Sequence, residues 1–205
     1  QKTPLMAGTL RQVTFNPYWN VPVDLAAKNI APNVRRLGVG WFKNRGYEVL
    51  SGWEADAKVL DPATVDWRAV EEGRSEARVR QKPSSSNMMG EMKFQFPNEL
   101  GIYLHDTPDR QKFDEAERAF SSGCVRLEDA PRLGRWLLGR EPVPTSGRPE
   151  YEVPLTEGVP VFLTYLTVWP NDDGTLAYAP DIYGLDGLSE EQTRVARRGE
   201  AAAAE

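Results

Sequence analysis

Ile102-Tyr103-Leu104-His105-Asp106-Thr107-Pro108 and, further on, Phe120-Ser121-Ser122-Gly123-Cys124-Val125-Arg126-Leu127 decide how this chain is read. They hold its one histidine and its one cysteine. The histidine ends an apolar, strand-like run, whereas the cysteine follows a Ser-Ser-Gly turn and precedes a helix-like stretch. A thiol at its reference pKa of about 8.5 is mostly protonated at neutral pH and reacts slowly. A neighbouring imidazole can remove that proton, and an imidazolium or a helix N-terminus stabilises the thiolate. The turn exposes the sulfur and gathers backbone N–H groups at one point, as an oxyanion hole requires. Arg126, two residues after Cys124, is placed to bind a substrate carboxylate through two parallel hydrogen bonds. Taken singly, each residue has an ordinary reading. Free cysteines are mostly buried and inert, a histidine at a strand end is mostly structural, and surface arginines form weak ion pairs. Spacing alone does not choose between these readings.

Working outward, the second half of the chain is β-rich. Strands are expected over Ala77–Gln81, Glu91–Phe96 and Gly101–His105, separated by turns at Pro83–Gly90 and Pro97-Asn98. Leu127–Leu138 reads as a helix stopped by Gly139, and Pro142–Pro149 as a loop. Val159–Trp169, the longest apolar and β-branched run, is expected as a central strand. Asn171-Asp172-Asp173-Gly174 then signals a hairpin into Thr175–Ala179. Near the N-terminus, Val13 and Phe15 alternate with polar neighbours as a strand does. From Asn20 the pattern turns helical. Val23, Ala26, Ala27 and Ile30 fall on one face, with Pro32 expected to stop that helix. A second helix fits Val34–Lys43, and Tyr47–Leu50 is a strand. Val65–Glu72 fits either state, and Gly73–Glu76 is a loop. The expected organisation is α+β, mostly β with a helical insertion. Residues 1–19 and 74–188 form one catalytic unit and residues 20–73 an inserted subdomain. Residues 189–205 form a short helix, with Ser189 and Gln192 as a capping box, and a frayed tail.

Bulk composition narrows the function classes. The chain has 205 residues, 25 Lys and Arg against 30 Asp and Glu, and a net charge of −5. That length is enough for a real core, and the mild acidity argues against nucleic acid as the main partner. No apolar run approaches the ~20 residues that span a bilayer. One cysteine rules out an internal disulfide framework, and one cysteine with one histidine cannot assemble a four-ligand structural zinc site. No metal or cofactor is called for. A chain that opens on Gln1 is expected to be a piece of a longer protein whose targeting segment is out of view.

His-Asp-Thr-Pro at 105–108, followed by Arg-Ala-Phe-Ser-Ser-Gly-Cys-Val-Arg at 118–126, resembles the active-site signature of the L,D-transpeptidase catalytic domain (YkuD-type), in particular its large, YcbB-like branch. The likeness extends in order over about residues 9–186. Phe15-Asn16-Pro17-Tyr18-Trp19-Asn20-Val21-Pro22 resembles the segment before the family's inserted capping subdomain. Arg80-Gln81-Lys82-Pro83 through Asn87 and Gly90, then Lys93-Phe94-Gln95-Phe96-Pro97-Asn98, resembles the approach to the catalytic histidine. Trp169 to Asp181-Ile182-Tyr183-Gly184 resembles the C-terminal strands. Two departures are visible. Ser122 stands where much of the wider family has a second histidine, so the base role falls wholly on His105. Ser84-Ser85-Ser86-Asn87-Met88-Met89 also replaces a turn with more Gly and Leu.

The resemblance implies a β-sandwich-like catalytic domain with a helical capping subdomain acting as a lid. It implies Cys124 as nucleophile and His105 as base, with the second imidazole nitrogen held by a backbone carbonyl at or near Gly123. Backbone N–H groups from Ser122 to Cys124, Gly123 among them, would form the oxyanion hole, and Tyr103, Arg126 and Asn87 would contact substrate. The implied substrates are peptidoglycan stem peptides as donor and acceptor, joined in 3→3 cross-links. β-Lactams of the carbapenem type are implied as inhibitors, and the periplasmic cell envelope as the location. A hydrolase or amidase on the same scaffold, or a non-catalytic wall-binding module using Trp19, Trp41, Trp53 and Trp67, are the alternatives. Core filling is the commoner use of such tryptophans. A papain-like peptidase fits poorly, because it expects a cysteine near the chain's start, ahead of the histidine.

Overall fold

The computed structural model describes residues 2–187, so the Ser189/Gln192 capping signal lies outside the described residues. In chain order the elements begin with β1 (Met6–Phe15) and β2 (Trp19–Asn20). Helices α1 (Val23–Leu25), α2 (Ala31–Leu37) and α3 (Val39–Asn44) follow, then β3 (Tyr47–Leu50), β4 (Val59–Leu60) and α4 (Trp67–Glu71). Next come β5 (Arg78–Gln81), β6 (Met92–Gln95), β7 (Leu104–His105), β8 (Val125–Arg126) and α5 (Ala130–Leu138). The series ends with β9 (Tyr151–Leu163), β10 (Val168–Pro170) and β11 (Leu176–Tyr178). The α+β expectation holds.

A five-stranded sheet in the order β8-β7-β6-β1-β9 carries the site. Its pairings are antiparallel except β7 with β8, which run parallel. Alternation sorts its side chains onto two faces. Val13 pairs with Phe94, and Phe94 with Leu104, on the face that forms the core with Phe15, Met92 and Ile102. Helix α5 covers this face with Leu133, Leu137 and Leu138. Asp129 starts that helix by accepting a hydrogen bond from the Arg132 N–H at 2.9 Å. Gly139 ends it in the left-handed conformation, φ 64°. On the opposite face, Lys93 lies directly across from both Thr14 and His105.

A second sheet, β2-β5-β3-β4, packs with α1–α4 around its own core of Val21, Ile30, Val34, Phe42, Val49, Trp67, Val70 and Val79. Strand β5, expected with the catalytic strands, therefore belongs here. Trp67 is buried, Trp19 and Trp41 pack against this core, and Trp53 is exposed. Pro32 does not stop the first helix. A π turn over Ala26–Ile30 precedes it, and Pro32 occupies the first turn of α2, where a missing N–H is tolerated. The break comes instead at Gly38, φ 83°, between α2 and α3. Val159–Trp169 is not a central strand. Its first residues complete β9, which begins at Tyr151 and forms the sheet edge. The β10–β11 hairpin forms as expected, with Gly174 at φ 81°.

Candidate active site

His105 and Cys124 meet because β7 and β8 pair in parallel. The Val125 N–H donates to the Tyr103 carbonyl at 2.9 Å, and the Leu127 N–H to the His105 carbonyl at 2.8 Å. Leu104 lies opposite Val125 and His105 opposite Arg126. Matched positions on adjacent strands share a face, so Tyr103, His105, Cys124 and Arg126 project together from the face opposite the core. A parallel pair needs a crossover of a dozen or more residues. Here the crossover is the irregular segment 106–124, with a 3₁₀ turn at Arg110–Phe113. Cys124 thus leads into a short strand rather than a helix, whose first residue comes only at Ala130. Among the described residues, no helix starts at its thiol.

His105 is buried and its Nδ1 sits 2.5 Å from the carbonyl oxygen of Asp106. A carbonyl only accepts, so the ring proton is on Nδ1 and Nε2 carries the lone pair that can take a proton. The expected carbonyl at Gly123 is thus replaced by that of the next residue in the chain. Asp106 is itself fixed at 5% exposure. Its Oδ2 accepts from the Glu91 N–H at 2.9 Å, and its Oδ1 from Arg110 Nη2 at 3.0 Å. Gly90, φ 64°, permits this close approach, since a Cβ there would stand 2.4 Å from the Asp106 carboxylate. Sequence reasoning missed Asp106, Gly90 and Arg110. The Asp of His-Asp-Thr-Pro was visible, but its use of a backbone carbonyl leaves no residue-type signal.

Burial pushes the Cys124 thiol pKa up, against a smaller opposing effect of a hydrogen bond with the Tyr103 backbone. The thiol donates weakly to the Gly101 carbonyl at 3.7 Å. Burial also lowers the His105 pKa to about 4; the Asp106 carbonyl opposes this, and the Arg126 charge lowers it further. The resting pair is therefore neutral thiol and neutral imidazole. Tyr103 is half-buried, with its pKa raised by burial and by the nearby Cys124 sulfur and Glu150 carboxylate. Beside it lies a part-buried ion pair that sequence reasoning also missed, Lys93 Nζ to Glu150 Oε2 at 2.8 Å.

Other expected contacts are revised. The Gly123 N–H is taken by Ser121 Oγ at 3.2 Å, and Gly123 itself is at φ 119°. Val125 and Leu127 donate inward to β7, so the period of two turns the Cys124 N–H toward the open sheet edge. Asn87 does not face substrate. It is fully buried, and its Nδ2 donates to the carbonyls of Pro17, Gln81 and Lys82 at 3.0, 3.2 and 3.0 Å. It ties the turn after β5 to the link between β1 and β2. Arg126 does line the site, half-buried, with Nη1 3.9 Å from Asp109. A cavity of about 270 Å³ opens beside Cys124. Among the described residues that line it, none comes from 20–73, so the insertion does not act as its lid in this conformation; the crossover segment walls it instead.

A profile of the L,D-transpeptidase catalytic domain (YkuD) matches residues 1–161. A Haemophilus influenzae protein named "Putative L,D-transpeptidase" is 34% identical over 193 residues, which cover 91% of this chain and 38% of that protein. The chain thus spans well under half of this relative's length. With the profile match over most of its length, and a single His and single Cys on neighbouring strands of one sheet face, the chain belongs to the L,D-transpeptidase catalytic domain (YkuD) family.

Proposed function

We propose that this chain is the catalytic part of a peptidoglycan L,D-transpeptidase that forms 3→3 cross-links through a thioester on Cys124. One observation carries the reading. His105 and Cys124 share a sheet face, and the Asp106 carbonyl leaves Nε2 as the proton-accepting nitrogen. Because both groups rest neutral, the thiol proton passes to Nε2 as the sulfur attacks. The attacked carbonyl belongs to the third residue of a tetrapeptide stem. The Cys124 N–H at the sheet edge is the donor best directed at the oxygen that gains charge. Collapse of the tetrahedral adduct breaks the peptide bond, and the amine of the terminal D-alanine leaves with the proton from His105. An amine of a neighbouring stem then attacks the thioester, gives its proton to Nε2, and restores the thiol. A thioester keeps the acyl group activated without ATP, which suits a reaction outside the cytoplasm. On this reading the protein works in the periplasmic cell envelope, and carbapenem-type β-lactams acylate the same sulfur.

Intact-protein mass spectrometry with a disaccharide-tetrapeptide tests this, comparing the native chain with Cys124→Ala. The expected result is a Cys124-dependent adduct lacking D-alanine, together with cross-linked dimer in solution. An adduct that yields only trimmed tripeptide would replace the transfer step with hydrolysis. A folded chain that forms no adduct would remove the enzyme reading.

A further inference from the structure

The cavity beside Cys124 has a charge pattern that runs against the rest of the chain. Lys112, Arg118 and Arg126 line it, and no Asp or Glu does so among the described residues. This occurs in a protein with 30 acidic and 25 basic residues. The same crossover segment carries Asp114, Glu115 and Glu117, but all three are exposed and outside the cavity lining. Within this segment the cavity lining takes Lys112 and Arg118, while these three carboxylates stay out of it. Aromatic walls come from Phe113 and Phe120, and Lys112 Nζ sits 4.5 Å from the Phe120 ring centre. Arg126 lines the cavity, and among the described residues its buried Nε has no hydrogen-bond acceptor. Its Nη1 stands 3.9 Å from Asp109, which is too long for a hydrogen bond. A buried guanidinium N–H without an acceptor is costly, and a carboxylate is the planar anion that a guanidinium binds best.

We propose that this cavity is a carboxylate subsite, in which Lys112, Arg118 and Arg126 hold a carboxylate of the donor stem against Phe113 and Phe120 while Cys124 attacks. The assignment deepens the transpeptidase reading and rests on it for the identity of the donor. Two carboxylates could supply the same chemistry, the C-terminal one of the leaving residue or a side-chain one on the residue that becomes acylated. Occupancy also assists the base. The Arg126 charge disfavours protonation of His105, so an anion on Arg126 relieves that repulsion as Nε2 takes the thiol proton. An acidic donor thereby prepares the base for its own acylation.

The test separates the subsite from the reaction. Cys124 is the only thiol in the chain, so alkylation reports on it alone. The same thiolate displaces iodide from iodoacetate and from iodoacetamide, which differ in charge. Their rate ratio is therefore independent of the thiol pKa. The ratio in the native chain should exceed that of the urea-unfolded chain by about fivefold, and should fall back in ~1 M salt. It should also fall in Lys112→Gln/Arg118→Gln, with unchanged far-UV circular dichroism as the control for folding. A native ratio no higher than the unfolded one would overturn the proposal. In the second arm, tetrapeptide donors amidated at the C-terminal carboxylate or at the third residue's side-chain carboxylate are compared for acylation of Cys124. The donor whose KM rises in the native chain, and not in the double variant, identifies the carboxylate held. Acylation indifferent to both amidations would overturn the subsite assignment even with a raised ratio. A raised ratio with no acylation by any donor would instead count against the transpeptidase reading and leave an anion subsite in place.

Discussion

Two opposite consequences of burial meet at the reacting pair. The Cys124 thiol is held protonated and the His105 imidazole deprotonated, because each charged form loses hydration. Nucleophilicity must then be generated during attack, so alkylation of Cys124 by a neutral reagent should show no plateau near neutral pH. The rate of iodoacetamide modification, followed by intact mass, should keep climbing beyond the ordinary thiol range of about 8.5. A plateau reached by pH 7 would instead indicate a preformed thiolate–imidazolium pair. Gly123 sets the aim of the sulfur. At φ 119° it holds a conformation that L side chains rarely adopt, and a Cβ there would stand 2.9 Å from Ile102 Cδ1. Gly123→Ala should lower cross-linking turnover by about a hundredfold, the scale of a 1 Å misplacement. Gly174→Ala, with positive φ but open space around it, is the comparison and should keep its turnover. Steady-state rates of both variants decide the point.

Between elements, Asn87 is the joint. Its amide donates to three buried or half-buried carbonyls, and its Oδ1 accepts from the Met89 N–H at 2.7 Å. Asn87→Ala leaves those groups without partners, which should cost about 3 kcal/mol and lower Tm by roughly 6–12 °C. Thermal unfolding by circular dichroism measures it; a Tm unchanged within 2 °C would mean water replaces the amide. Asn87 also marks the limit of what residue types reveal. A polar residue in a Ser-rich turn looks like a surface contact, and only the return of β5 toward the β1–β2 link buries it. The strands themselves were legible, because alternation at Val13 and Phe15 or at Lys93 and Phe94 is a local pattern. Their order was not, since pairing joins residues far apart in the chain. Val159–Trp169 is as apolar as a central strand, yet β9 packs one face on the core and lies at the edge. His105 and Cys124 were legible for another reason, each being the only residue of its type within an ordered motif. The carbonyl that orients His105 belongs to the backbone and leaves no trace in the sequence.

For the molecule as a whole, the site's electrostatics become a pH dependence of stability. His105 titrates at about 4 when folded and near 6.5 when exposed. Between these values the unfolded chain binds the extra proton, so stability rises with pH across this window. The contribution is fully present above pH 6.5 and is lost as pH falls toward 4. Going from pH 7 to pH 4.5, His105 alone should remove about 2 kcal/mol. Carboxylates titrate in the same region, so the native curve does not isolate the imidazole. The difference between the native chain and His105→Gln does, because the amide keeps a polar group in place without titrating. Urea unfolding at both pH values should give the variant a loss smaller by about 2 kcal/mol, and parallel losses would mean that His105 is hydrated in the native state. The fold thus carries a destabilising element on its catalytic face, since an imidazole kept neutral near the Arg126 charge is poised to accept a proton only when a thiol delivers it. An acidic ligand on Arg126 should narrow the difference by raising the folded His105 pKa, so the same titration with a bound carboxylate links stability to the chemistry of the site.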